Sequence, residues 1–305
     1  MLSDSTKLLA ETARKIGLNF VNEHDPESKF IKVNSLDLHY MDWGTSGKIP
    51  MLLLHGGAQN AHMWDYVGLS FSSDFHVIAL DQRGHGDSQW DKDGGYTPND
   101  YLLDLEEFVR LMGWEKFVIV GLSMGGRNAF SYTSKHPDSL HASVIIDVAP
   151  RIQKAGTNRI MEFMMGPDEL DSVDDFVRRV LEYNPRRDFE RTKGSILNNL
   201  KQLPNGKWTW KYDKIFRDRS RNKKIGSSWQ EEPLWDLVDK ITAPTLVVRG
   251  AQSDVITLET ADEMHTRISN SKLATVSRAG HQVPGDNPLE FDSVLREFLS
   301  EVLPK

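Results

Sequence analysis

The sequence predicts an α/β protein built on a mostly parallel β-sheet with helices on both faces. Five short runs are apolar throughout, and stretches with helical spacing such as "YLLDLEEFVRLMG" lie between them. Strands covered by helices on both faces have this continuous apolar character, whereas half-exposed strands alternate. The five runs are "IPMLLLHGG", "FHVIALDQRG", "KFVIVGLS", "ASVIIDVAP" and "PTLVVRGAQSD".

The chain before these runs predicts a helix and then a pair of antiparallel strands. The helix is expected near the N-terminus, ahead of the segment "FIKVNSLDLHYMDWG". In that segment apolar and polar residues alternate on either side of Asn34-Ser35, which is typical of two strands joined by a tight turn. The sheet is therefore expected to begin with an antiparallel pair.

The alternation of strands and helices breaks between about Arg151 and Pro233. This interval is charged and rich in helix formers, Met and Trp. It contains "DDFVRRVLEY", which has helical spacing, and no convincing strand. We therefore expect residues 151–233 to form a helical cap over the carboxyl edge of the sheet, inserted into a core made of residues 1–150 and 234–305.

Composition narrows the classes of function. The chain has 305 residues and a net charge of −7, which argues against binding to nucleic acid or to an anionic membrane and favours a small neutral or apolar ligand. The absence of cysteine excludes disulfides, thiolate catalysis and cysteine-ligated metals. Without a secretory signal or a long apolar segment, the sequence predicts a cytoplasmic protein.

One serine lies among glycines directly after an apolar run. Residues 117–127 read "FVIVGLSMGGR", in which Gly121, Ser123 and Gly125 form a G-x-S-x-G pattern. By itself this short pattern is a weak signal. Glycines remove Cβ atoms where a strand and a helix crowd together, so a serine between them can occupy a strained turn with its hydroxyl above the sheet.

Other polar residues follow neighbouring runs and are expected at the same edge of the sheet. His55-Gly56-Gly57 follows "MLLL", Asp254 follows "TLVVRGAQS", and His281 follows "LATVSRAG". In a doubly wound sheet, ligands bind outside the carboxyl ends of the strands. The order Ser, Asp, His along the chain is the order of nucleophile, orienting acid and base on this kind of scaffold.

These motifs together resemble the α/β-hydrolase superfamily over nearly the whole chain outside the insertion. Besides the serine turn, the matching segments are "HGGAQNAHMW", "DQRGHGDS", "GAQSD" and "AGHQVPGDNP", in the family's order. The resemblance implies the α/β-hydrolase fold, with an eight-stranded, mostly parallel sheet. It also implies the capped branch, which holds esterases, lactonases, haloperoxidases and hydrolases of carbon–carbon bonds. Ser123 disfavours the dehalogenases and epoxide hydrolases of that branch, because those enzymes use an aspartate at this position.

The resemblance gives each residue a role. Ser123 is expected to be the nucleophile, and His281 is expected to be its base because imidazole titrates near neutrality. Asp254 is expected to orient the imidazole without accepting its proton. The family pattern supplies the backbone amides of Gly57 and Met124 as an oxyanion hole.

Asp147, at the end of "VIIDV", is the alternative acid, because some members of the superfamily place the acid on that strand. We favour Asp254 because its loop contains Gly250 and Ser253, which leave the carboxylate room to turn toward a histidine from the next loop. Asp147 directly precedes the insertion, so we expect it to connect the insertion to the core.

Several other candidates are expected to be structural. His55 is expected to shape the oxyanion loop and His85 to pack within its own loop, while Asp81, Arg83 and Asp87 would form a buried or half-buried polar network. Aromatic and Met side chains are more often core than catalytic. Those that are candidates for lining a pocket are Trp64, Trp208, Trp210, Phe163 and Met164.

The sequence therefore predicts a serine hydrolase without metal or cofactor that cleaves a small, largely apolar carboxylic ester or lactone through an acyl-enzyme. Cleavage of a carbon–carbon bond or a cofactor-free haloperoxidase-like activity is the alternative on the same residues. A ligand receptor with little turnover is a second alternative, because such receptors can retain these residues.

Overall fold

The structure, a computed structural model, describes residues 2–185, 187–218 and 233–303. Its strands are β1 (Glu27–Val33), β2 (Leu36–Asp42), β3 (Pro50–Leu54), β4 (His76–Leu80), β5 (Phe117–Leu122), β6 (Leu140–Ile146), β7 (Glu169–Leu170), β8 (Leu200–Gln202), β9 (Trp208–Trp210), β10 (Thr245–Gly250) and β11 (Ser271–Val276). Its α-helices are α1 (Asp4–Lys15), α2 (Asp65–Phe71), α3 (Pro98–Met112), α4 (Met124–Lys135), α5 (Lys154–Met165), α6 (Val173–Tyr183), α7 (Phe189–Ile196), α8 (Leu234–Val238), α9 (Leu258–Arg267), α10 (Val283–Asp286) and α11 (Pro288–Val302).

An eight-stranded sheet forms the centre of the described chain, in the order β1-β2-β4-β3-β5-β6-β10-β11. The pairs β1/β2 and β2/β4 are antiparallel, and all other neighbours are parallel. Asn34 and Ser35 join β1 to β2 with φ angles of 45° and 73°, the left-handed values that a tight hairpin turn needs. The mostly parallel α/β sheet predicted from the sequence is confirmed.

Helices cover both faces of the sheet. Apolar side chains of α1, α2 and α11 pack on one face, and those of α3, α4, α8 and α9 pack on the other. The central strands are buried on both faces, as in β3 and β5, which is why their sequences are apolar throughout. Of the helices in the described part of the chain, not one has the length and apolar character needed to cross a bilayer.

The insertion between β6 and α8 contains α5, α6, α7 and a small antiparallel sheet with the strand order β7-β9-β8. The expectation that this interval has no strand is therefore wrong. These strands have only two or three residues, too few to show an alternating pattern in sequence. The insertion packs on the core through an aromatic cluster that includes Tyr96, Tyr101, Phe176 and Trp210. Residues 186 and 219–232 of the predicted cap lie outside the described residues.

Candidate active site

Ser123 lies in a strained turn between β5 and α4. Its φ and ψ angles are 54° and −115°, a conformation that costs a non-glycine residue about 1–3 kcal/mol. A Cβ atom on Gly121 would overlap the carbonyl oxygen of Gly125, and a Cβ atom on Gly125 would overlap that of Leu54. Only glycine allows strand and helix to approach this closely, so the two glycines fix the turn that presents the serine.

A hydrogen-bonded chain runs from Ser123 through His281 to Asp147. The Ser123 Oγ is 2.9 Å from the His281 Nε2, and the His281 Nδ1 is 2.8 Å from the Asp147 Oδ2. Because an ionised carboxylate only accepts, the His281 Nδ1 carries the proton and the Nε2 is left to accept from the serine hydroxyl. This arrangement allows the imidazole to remove the proton of Ser123 while the carboxylate stabilises the resulting cation.

Both oxygens of the Asp147 carboxylate accept hydrogen bonds. Its side chain is fully buried, its Oδ1 accepts from the Gly250 N at 3.0 Å, and its Oδ2 accepts from the Ser253 Oγ at 2.6 Å. Its own backbone N donates to the Val248 O at 2.8 Å. The end of β10 and the loop after it therefore fix both the main chain and the carboxylate of Asp147, which faces His281.

Asp254 does not meet His281, so the assignment of this residue as the orienting acid is corrected. Its Oδ2 lies 2.9 Å from the Arg159 Nη1 of α5, and about a third of its side chain is exposed, at 37%. The physical reason is the packing of α5: a Cβ atom on Gly156 would overlap the carbonyl oxygen of Asp254. The insertion lies against this loop, and Asp254 connects the insertion to the core, which is the role expected of Asp147.

Gly57 and Met124 line the same cavity as Ser123 and His281. Neighbouring amides have other acceptors: the Gly56 N donates to the Gln59 Oε1 at 3.1 Å, and the Gly125 N donates to the His55 O at 3.1 Å. Within the described residues, the amides of Gly57 and Met124 have no protein acceptor. Both amides are therefore free of a competing acceptor in the described part of the chain.

His55 and His85 are buried structural groups, in agreement with the sequence analysis. The His55 Nδ1 donates to the Gly56 O at 2.8 Å and its Nε2 accepts from the Gln82 N at 3.0 Å, so this ring is neutral. Burial lowers the pKa of His55, and burial together with the neighbouring His55 lowers the pKa of His85 to about 3. The ring of His85 packs on Tyr212 of the insertion.

The polar network after β4 is only partly as expected. Burial alone would raise the pKa of Asp81, but hydrogen bonds from His39 and from the Ala61 N keep it below its ordinary value. Arg83 is buried in a separate two-point pair with Asp104, at 2.6 and 2.7 Å. Asp87 joins the network through its N, which donates to the Asp81 Oδ2, while its carboxylate pairs with Lys211. Its side chain is 45% exposed, so it lies at the solvent-facing edge of the buried or half-buried network that was expected.

Within the described residues, one group of side chains has the spacing of a metal site. Ligand atoms of His39, Asp81 and Asp87 lie within 4.8 Å of one another. Each of these residues already has protein partners: Asp81 accepts from His39 and from the Asp87 N, and the Asp87 carboxylate pairs with Lys211. Their geometry is explained by the support of the loop after β4.

A cavity of about 190 Å³ lies between Ser123 and the insertion. Phe163, Met164 and Trp210 line it, as the sequence suggested. Trp64 lies in the core on one face of the sheet and Trp208 packs within the insertion, so neither lines it. Two further residues of the cavity wall were not predicted: Arg187 belongs to no motif, and Gln282 lies in the segment "AGHQVPGDNP" but was given no role.

Comparisons with known proteins agree with this architecture. Residues 49–288 match the family model described as the α/β-hydrolase fold. The esterase Rv0045c of Mycobacterium tuberculosis is 30% identical over 97% of this chain and 96% of its own length, and its crystal structure superposes with a TM-score of 0.76 over 98% of both chains. An α/β hydrolase from Novosphingobium aromaticivorans is 26% identical, with a TM-score of 0.79 over 92% of this chain and 100% of its own. The chain therefore belongs to the α/β-hydrolase superfamily as an esterase-like enzyme.

Proposed function

We propose that this protein is a serine hydrolase that cleaves a carboxylic ester or lactone through an acyl-enzyme, with Ser123 as nucleophile, His281 as base and Asp147 as orienting acid. The observation that carries the proposal is the chain of hydrogen bonds from Ser123 through His281 to Asp147, at 2.9 and 2.8 Å. The similarity to an esterase over nearly the whole chain supports the same reaction class.

In the acylation step, the Ser123 Oγ attacks the ester carbonyl carbon while the His281 Nε2 takes the hydroxyl proton. The carbonyl oxygen becomes an oxyanion that accepts from the amides of Gly57 and Met124. Losing one such donor costs about 3–4 kcal/mol in other hydrolases. His281 then gives its proton to the leaving oxygen, the bond between carbonyl carbon and leaving oxygen breaks, and the acyl group stays on Ser123.

In the deacylation step, water attacks the acyl carbon and His281 accepts its proton. The second oxyanion uses the same two amides, and collapse returns the proton to the Ser123 Oγ as the acid is released. Asp147 stays ionised throughout and holds the Nδ1 proton of His281. In a lactone the leaving oxygen remains attached to the acyl group, so one product is released.

The proposed cap, residues 151–233, selects the substrate over a core of residues 1–150 and 234–305. Six of its apolar side chains line the cavity, which favours a small substrate with an apolar acyl chain. They are Ile160, Phe163, Met164, Val180, Ile196 and Trp210.

The proposal is tested with a fluorophosphonate and a p-nitrophenyl ester. The wild-type protein should gain one equivalent of phosphonate on the peptide containing Ser123 and should hydrolyse the ester over many turnovers. Ser123→Ala should take up no label and lose a factor of about 10⁶ in kcat. Ser300→Ala is a matched control, because its exposed hydroxyl on α11 contacts only the Glu297 O among the described residues.

Other outcomes would redirect the assignment. A single turnover with stable acylation would favour the receptor alternative, and cleavage of a dienone acid far faster than any ester would favour carbon–carbon hydrolysis. Equal labelling of Ser123→Ala and the wild type would contradict the role of this serine.

A further inference from the structure

The cavity above Ser123 has a polar part as well as an apolar wall. Arg187, between α6 and α7, lines it, and no aspartate or glutamate does so among the described residues. The Arg187 side chain is 24% exposed. Arg187 is thus the charged side chain that the described wall presents to a ligand, and a guanidinium selects anionic groups.

Two residues of the loop and short helix after His281, Gln282 and Asp286, hold Arg187 in place. Its Nη2 donates to the Gln282 Oε1 at 2.6 Å, and its Nε lies 3.5 Å from the Asp286 Oδ1. Asp286 is itself fixed by the Asn184 Nδ2 at 3.0 Å and the Gly280 N at 2.9 Å, and it does not line the cavity. Because Gln282 follows His281 in sequence, these contacts hold the guanidinium beside the reacting groups.

In contrast to Arg187, two other polar groups of the cavity wall have no protein partner within the described residues. The Thr192 Oγ1 and the Trp210 Nε1 are buried without a hydrogen bond, and both residues line the cavity. Thr192 is 3% exposed and Trp210 is 4% exposed. A buried donor without an acceptor is unfavourable, so an acceptor brought by a ligand would stabilise both groups.

We infer that the natural substrate carries a carboxylate near its scissile ester, and that Arg187, with Thr192 and Trp210, binds this carboxylate. The inference rests on the proposed ester hydrolysis. A guanidinium presents parallel N–H groups that match the two oxygens of a carboxylate, while an indole N–H and a hydroxyl supply further donors. The substrate class is therefore the half-ester of a dicarboxylic acid with a short apolar chain.

The test compares two esters of the same length, mono-p-nitrophenyl adipate and p-nitrophenyl hexanoate. The wild-type enzyme should have the higher kcat/KM for the adipate half-ester. Arg187→Gln should lower the ratio of the two kcat/KM values at least about tenfold, since hydrogen bonds to charged groups are the strong ones. Thr192→Val, which keeps the shape and removes the hydroxyl, should lower the ratio by a smaller factor.

Arg178→Gln is the matched control, because this arginine of the insertion is 62% exposed, pairs with Asp175 and does not line the cavity. It should keep the wild-type ratio. If Arg187→Gln slowed both esters equally, or if the wild type preferred the hexanoate, the carboxylate site would be refuted while the hydrolase proposal stood. If the wild type turned over neither ester, both proposals would fail. Should Arg187→Gln not fold, an unchanged ratio in Thr192→Val would refute the site.

Discussion

Two neighbouring loops at the carboxyl edge of the sheet each carry an aspartate, and the two aspartates face different partners. Asp147 directly follows β6, is fully buried and accepts from His281. Asp254 lies four residues beyond β10, is partly exposed and pairs with Arg159 of the insertion. Since β6 and β10 are adjacent and parallel, the loops that carry the two aspartates leave the sheet side by side.

The difference shows that the distance from the strand end decides which side chain can be held in place. The backbone of Asp147 is still bonded to β10, so its carboxylate has a defined direction. Asp254 lies in a loop against which α5 packs, and its side chain bonds to Arg159 of that helix. The loop after β10 supports Asp147 with a serine and an amide, while its own aspartate turns to the insertion.

Replacing each carboxylate by an amide should produce the largest difference in kcat between variants of the two loops. Asp147→Asn keeps the shape but removes the charge that fixes the His281 tautomer, and the equivalent change costs about 10⁴ in kcat in another triad enzyme. We expect a loss of that order with little change in KM, measured on a p-nitrophenyl ester.

Asp254→Asn is the paired control and should keep kcat within about threefold, because only an exposed ion pair is lost. Circular dichroism must show both variants folded. A folded, inactive Asp254→Asn beside an active Asp147→Asn would return the orienting role to the later loop.

The serine turn could be predicted from the sequence because its constraints are local. The chain turns abruptly from a strand into a helix at Ser123. The positions two residues before and two residues after it therefore have no room for a Cβ atom and must be glycine. The short strands that are apolar throughout were an equally direct signal. The fold and the positions of Ser123 and His281 therefore followed from short segments of sequence.

The choice between the two aspartates could not be made in this way. Both follow a strand end, and the direction of each side chain depends on contacts with residues more than ninety positions away, such as Arg159 for Asp254 and His281 for Asp147. The signal that was available is that Asp147 is the first residue after its strand. Arg187 gave no signal at all, because the cavity that it lines is formed by tertiary packing.

A smaller effect is expected from Ser253, the residue of the later loop that supports the earlier one. Ser253→Ala removes the 2.6 Å hydrogen bond to the Asp147 Oδ2. Loss of one bond to a charged group should lower kcat about tenfold. In the Asp147→Asn background the same change should cost much less, since the charge that it supports is gone. Full additivity of the two losses in kcat would show that Ser253 acts independently of Asp147.

The smallest effect is expected from the ion pair that joins the later loop to the insertion. The Asp254 and Arg159 side chains are 37% and 45% exposed, so solvent screens their attraction and their coupling should be at most about 1 kcal/mol. A double-mutant cycle of Asp254→Asn and Arg159→Gln, measured by urea unfolding, gives this coupling directly. Salt should weaken this coupling, because partly exposed charges are screened.

Since the pair holds α5, whose Ile160 and Met164 line the cavity, both single variants should shift the relative kcat/KM for short and long acyl chains by a few-fold. A coupling well above 2 kcal/mol, or a loss of kcat for every ester alike, would mean that the later loop shapes the catalytic groups themselves.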